Sequence, residues 1–146
     1  MFLKTFHLKS FLVAAIMLAL MWIFFLLQNL GFFGGCFGAI IPLMPDGLSG
    51  VIFAPLLHGS LDHIISNSMP IAILLFLLFE FYSKIAFKIF LIGWIAGGLL
   101  VWMLPPVDIF TGEWTYTCIV GASGVVYMLA FFIFFSGVFR WNMKLL

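Results

Sequence analysis

The chain has 146 residues, of which 66% are hydrophobic and 8% charged, and phenylalanine alone contributes 20. A soluble domain carries about a quarter charged residues, so there is too little polar surface here for a water-exposed globule, and the solvent is lipid. A net charge of +1 with no basic tract excludes a nucleic-acid partner. Cys36 and Cys118 have neither Cys-x-x-Cys nor metal-ligand spacing and suggest no metal.

A spanning helix needs about 20 mostly apolar residues, and four stretches qualify: 11–33, 61–82, 85–104 and 119–139. The expectation is one all-α, polytopic transmembrane helical bundle. Lys4 and Lys9 precede the first stretch, but its apolar run is too long for a secretory signal and no small-x-small cleavage site follows. It reads as a retained first span. Connection 34–60 is punctuated by Pro42, Pro45-Asp46-Gly47 and Ser49-Gly50, which are turn signals. In the third stretch Gly93, Gly97 and Gly98 form a small face that lets a neighbouring helix approach. Trp102, Trp114 and Tyr116 flank the outer ends of the third and fourth stretches, as interfacial aromatics do.

Charge sets the orientation. Lys4 and Lys9 precede the first span, Lys84 and Lys88 lie around the second–third turn, and Arg140 and Lys144 follow the fourth. The other two connections hold Asp46, Asp108 and Glu113 and no Lys or Arg. All six cations therefore sit on one side, which the positive-inside rule makes cytoplasmic, with both termini inside. Cys36 and Cys118 share the opposite side, where a disulfide is conceivable, although they read as ordinary small apolar residues.

Polar side chains inside a span are costly and need a partner or a purpose. One cluster is His58-Gly59-Ser60-Leu61-Asp62-His63-Ile64-Ile65-Ser66-Asn67, at the outer start of the second span. Ser60 suits an N-cap and Asp62 the first turn. His63 and Asn67, four apart, share a helix face, and Pro70 cannot donate to the Ser66 carbonyl. The second cluster is Gly121-Ala122-Ser123-Gly124, at the outer start of the fourth span. Its small residues permit close approach to Ser123, and a helix N-terminus offers unpaired amides to an oxyanion. A hydroxyl, two side-chain donors and helix-terminal amides at one depth suggest acyl transfer in a water-accessible pocket. The plainer alternative for each motif is helix packing.

His58-x4-His63-x3-Asn67 resembles the second-helix signature of rhomboid proteases, and Gly121-Ala122-Ser123-Gly124, continued by Val125-Val126-Tyr127, resembles their nucleophile motif. The resemblance implies an intramembrane serine endopeptidase that cleaves transmembrane segments of other membrane proteins, without metal or cofactor. It implies Ser123 as nucleophile, with His63 and Asn67 joining the Ser123 amide in the oxyanion hole. His58, Gly121, Ala122 and Gly124 would support the site. Rhomboids have a six-helix core whose last helix carries the histidine base, whereas this chain ends at Leu146 with no histidine after His63. His7 lies on the cytoplasmic side and is excluded as a substitute. The expectation is a rhomboid-like domain truncated after its fourth span, with no base identified and His63 and Asn67 left facing hydrocarbon. The alternative is a pseudoprotease that binds client helices without cutting them.

Overall fold

The computed structural model describes residues 2–108, 110–115 and 117–143, with backbone alone at 2–7 and 140–143. Tyr116 and Lys144 lie outside the described residues, as do the side chains of Lys4, His7 and Arg140. Among the described residues the chain is helical, with no strand beyond two isolated bridges. Four long helices dominate: α1 (Phe2–Asn29), α3 (Leu61–Phe81), α4 (Ala86–Met103) and α5 (Ser123–Met143). A short helix, α2 (Gly50–Phe53), lies in the first connection between two 3-10 turns, Pro45–Ser49 and Ala54–Leu56. Leu8–Asn29, Leu61–Phe81 and Ala86–Met103 are each long and apolar enough to cross a membrane. The described apolar part of α5, Ser123–Phe139, is shorter. The chain is a multi-pass membrane protein.

Helix ends follow local chemistry. α1 stops at Gly31, whose φ of +83° suits glycine. The Phe32 amide then reaches back to the Leu27 carbonyl (3.1 Å) and the Gly31 amide to that of Gln28 (3.0 Å), closing a Schellman cap. α3 starts where Ser60 Oγ accepts from the His63 amide at 3.2 Å, as its sequence position requires, and it runs unbroken through Pro70. The fourth stretch differs from the expected 119–139. Ile119 is extended and pairs antiparallel with Ile40, both N–H···O distances being 2.9 Å. The chain then turns at Gly121 (φ +119°), so the helix begins only at Ser123.

The buried residues recur at helical spacing: Ala14, Met17 and Met21 on α1, Ile64, Ile71, Leu75 and Leu78 on α3, Ala122, Val125 and Leu129 at and along α5. α3 is thus the central helix, with α1 and α5 packed on it. Inside lipid the gain comes from close packing and interhelical hydrogen bonds rather than escape from water. Trp22 Nε1 donates to Ser68 Oγ (3.2 Å) between α1 and α3, and the hydroxyl of Tyr82, which caps α3, pairs with that of Ser136 on α5 at 2.5 Å. The α4 glycines act as expected: Gly93 abuts Met128 of α5, Gly97 faces the Gly124 carbonyl, and Gly98 faces Val51 of α2.

The first connection is more ordered than its turn signals imply. Trp94 Nε1 donates to the Ile52 carbonyl (3.1 Å) and Trp102 Nε1 to that of Met44 (2.8 Å), so two α4 tryptophans hold α2 and its neighbouring turns against the bundle. Gly47 and Gly50 lie directly on the backbone of Ile41 and of Ala39–Ile40, where no Cβ fits. Cys36 and Cys118, read from sequence as small apolar residues, form a disulfide with Cα atoms 5.5 Å apart. The Ile40–Ile119 pairing brings their chain segments together, a long-range contact that cysteine spacing does not reveal.

Candidate functional site

The site is assembled where α3 and α5 both begin. Ser123 is the first residue of α5 and is exposed, as is Gly124. Behind it Ala122 is fully buried, anchoring the turn. The His63 imidazole lies against Gly121: a Cβ built on that glycine would approach its Cε1 and Nε2 to 2.6 Å. Only a residue without a side chain leaves room for the ring. The Gly121 amide donates to the Ala54 carbonyl at 2.8 Å, so the first connection supports the turn from its other side. Helix α5 then presents its free N-terminal amides and the positive end of its dipole beside the Ser123 hydroxyl.

Asn67 sits one turn below His63 and is only 6% exposed. Its Nδ2 donates to the His63 carbonyl at 2.9 Å. One of its two amide hydrogens is thereby used, and the other is free to donate elsewhere. Ser66 Oγ also donates to the His63 carbonyl, at 2.9 Å. The expectation that His63 and Asn67 would face hydrocarbon is not met. Asn67 is buried and His63 is half-buried, because the turn at Gly121 and the loop carrying His58 fold over the start of α3.

His58 is 2% exposed, and its ring meets that of His63 edge-on at 5.0 Å. Neither of its ring nitrogens has a hydrogen-bond partner of good geometry. Burial first, and then the neighbouring His63, push its pKa down to about 4, offset only in part by a nearby Leu56 backbone group. His58 is therefore a neutral imidazole at physiological pH. Its backbone amide donates to Gln28 Oε1 at 3.0 Å. Gln28, near the end of α1, escaped the sequence reading because a polar residue at the end of a span looks merely interfacial. The structure thus brings His58, His63, Asn67, Gly121, Ala122, Ser123 and Gly124 to one end of the bundle. Among the described residues no group of three or more His, Cys, Asp or Glu side chains converges as a metal site.

Residues 45–145, more than half of the chain, match the family model described as Rhomboid domain. The chain belongs to the rhomboid family. Both polar clusters lie inside the matched segment. The rhomboid chain is 38% identical over 101 residues to an uncharacterized protein of Mycobacterium bovis and equally to one of Mycobacterium tuberculosis. Each match covers 68% of this chain and 40% of the relative. An uncharacterized protein of Mycobacterium leprae is 28% identical over 97 residues, covering 66% of this chain and 38% of the relative. The rhomboid chain therefore spans well under half the length of the curated relatives it matches. No solved structure matches it.

Proposed function

We propose that residues 1–146 form a single rhomboid-like domain of four spans, with α5 as the fourth, carrying the nucleophile and oxyanion-binding part of an intramembrane serine endopeptidase. The observation that supports this most is the His63 ring lying on Gly121, two residues before Ser123 at the start of α5. Ser123 Oγ attacks the carbonyl carbon of a peptide bond in a transmembrane segment of another membrane protein. The oxygen of the tetrahedral intermediate becomes an anion, and an imidazole N–H of His63, the free Nδ2 hydrogen of Asn67 and the Ser123 amide stabilise it. Such donors act most strongly where water is scarce, and removing one typically costs about 100- to 1,000-fold in rate.

The serine proton needs an acceptor. The base that rhomboids carry on their last helix has no counterpart within 1–146, and His58 is buried against His63, which suits a packing partner better than a base. Reaction at Ser123 by these residues alone is therefore slow. Oxyanion stabilisation and binding without a complete triad still leave about 1,000- to 10,000-fold catalysis over water.

The outer side is proposed to hold the site. Lys9, Lys84 and Lys88 lie at the opposite end of the bundle, and the disulfide at the site's end fits an oxidising, extracytoplasmic compartment. Charge and cysteine chemistry both support the reading in which the termini are cytoplasmic.

A fluorophosphonate applied to the protein in detergent tests the reading, with the labelled peptide identified by mass spectrometry. Slow labelling at Ser123 is expected, faster when imidazole is added as an external base and lost in Ser123→Ala. Labelling that persists in Ser123→Ala, or lands on another serine, overturns it. The second reading, a client-binding module that does not cut, draws on the open face formed by Ser123, Gly124 and Tyr127. Under it, capture of a transmembrane client survives Ser123→Ala while labelling is absent from the unaltered protein.

A further inference from the structure

Segment 104–122 leads from α4 into Ser123, and at its end Gly121 lies against the His63 ring and Ala122 is buried. Residues 110–115 and 117–119 are all exposed. Three ties join its last part to the first connection. The Gly121 amide reaches the Ala54 carbonyl, Ile119 pairs with Ile40 through two backbone hydrogen bonds, and Cys118 is bonded to Cys36. The first two are backbone hydrogen bonds, and the bridge at Ile119 is isolated, with no neighbouring ladder pair to reinforce it. Such a pairing is marginal by itself. The disulfide adjoins it directly, Cys118 being next to Ile119 and Cys36 four residues before Ile40. Sulfur and backbone together fix the strand-like approach to the turn at Gly121, and that turn is what sets the His63 ring against the start of α5.

We propose that the Cys36–Cys118 disulfide is a positioning element: it fastens segment 117–122 to the first connection, so that Ser123 is held in register with His63, and its reduction releases that register. The inference rests on the proposed role of Ser123. Both cysteines are exposed, so a dithiol reaches them. It transfers two electrons and two protons, leaving two protein thiols and becoming a disulfide itself. A displacement of about 1 Å at a reacting group is enough for roughly 100-fold in rate, so a loosened turn affects reactivity before it affects the fold.

The test compares oxidised protein, protein reduced by dithiothreitol, and reduced protein re-bridged by a one-carbon bis-methanethiosulfonate, all well below the melting temperature. Two readouts are taken: the rate of fluorophosphonate labelling at Ser123, with imidazole present, and hydrogen exchange at the amides of Ile40, Ile119 and Gly121. Reduction is expected to slow labelling at least about tenfold and to raise exchange at those three amides, with helical content unchanged. Re-bridging restores both. A Cys36→Ser/Cys118→Ser double variant behaves as reduced protein and ignores the dithiol. Equal labelling and equal exchange with and without the bond overturn the proposal, as does finding both thiols free after isolation under air. If the oxidised protein is never labelled at Ser123, the proteolytic reading fails instead, and the exchange measurement still decides whether the disulfide holds the turn.

Discussion

The His63 imidazole fills the space that a side chain on residue 121 would need, since a Cβ there would come within 2.6 Å of two ring atoms. Gly121 also holds a φ of +119°, which side chains disfavour. Gly121→Ala therefore meets two penalties at once. Strained backbone costs about 1–3 kcal/mol, and forcing atoms into a packed site costs about 1–3 kcal/mol. Thermal melts in detergent should show a loss of at least about 2 kcal/mol, with Ser123 labelling falling in step as the ring is pushed aside. Gly124→Ala is the comparison. Nothing lies within 4 Å of its Cβ position and the residue is helical, so alanine there should leave the melt unchanged or raise it. A Gly121→Ala protein that melts like the parent would remove the close contact from consideration.

Much of this arrangement was legible because it is local. Ser60, His63 and Asn67 declare a capped helix start with two polar groups on one face, and the small residues around Ser123 announce a second start at the same depth. What stayed hidden depends on residues far apart in sequence. The Ile40–Ile119 pairing delays α5 to Ser123 and brings Cys36 and Cys118 together, and neither follows from hydropathy. Gln28 binds the His58 amide across thirty positions, and Ala54 supports Gly121 through a backbone carbonyl that has no residue signature. The expected exposure of His63 and Asn67 failed for the same reason: the connections that cover them read as loops.

Breaking the disulfide should weaken the fold as well as the site. Cys36 and Cys118 are 82 positions apart, and the chain-entropy relation for such a loop gives about 4.5 kcal/mol. That relation treats the enclosed chain as free. Here the loop contains α3 and α4, which stay helical in lipid because unpaired backbone groups there are prohibitive. The effective free chain is shorter, so the expected loss is about 2–4 kcal/mol. Melts with and without dithiol measure it, and the Cys36→Ser/Cys118→Ser double variant should not respond to the reductant. A melt indifferent to reduction would mean that the two connections are held by their other contacts.

His58 should make the protein acid-sensitive. Its pKa is lowered from 6.5 to about 4 by burial and by His63, so in the folded state the ring resists protonation. Between those two values the unfolded chain binds the proton and the folded one does not, and stability therefore falls as pH drops from about 6.5 towards 4. One pKa unit corresponds to about 1.4 kcal/mol, so the full span is worth on the order of 3 kcal/mol. His58→Leu removes the ionisable ring from the buried site. The difference between parent and variant across pH 4 to 7 isolates this group from the carboxylates, which titrate in both. Parallel pH profiles for the two proteins would show that protonation at this position does not oppose folding.

Two glycines of α4, five residues apart, should respond oppositely to enlargement. Gly93 faces the end of the Met128 side chain, a flexible thioether that can swing away. Gly93→Ala also gains helix propensity, so its net cost should stay within about 1 kcal/mol. Gly98 instead faces α2: its Cβ position lies 3.0 Å from Val51 Cα and 3.1 Å from the Val51 carbonyl oxygen. Backbone cannot rotate out of the way, so Gly98→Val must push α2 from α4 and strain the Trp94–Ile52 hydrogen bond. A cost of about 2–3 kcal/mol is expected from overpacking. The displacement should travel further, because α2 leads directly into the turn whose Ala54 carbonyl holds the Gly121 amide. Hydrogen exchange at that amide should therefore rise in Gly98→Val and stay unchanged in Gly93→Ala. If both variants leave it protected, the first connection does not transmit the packing of α4 to the start of α5.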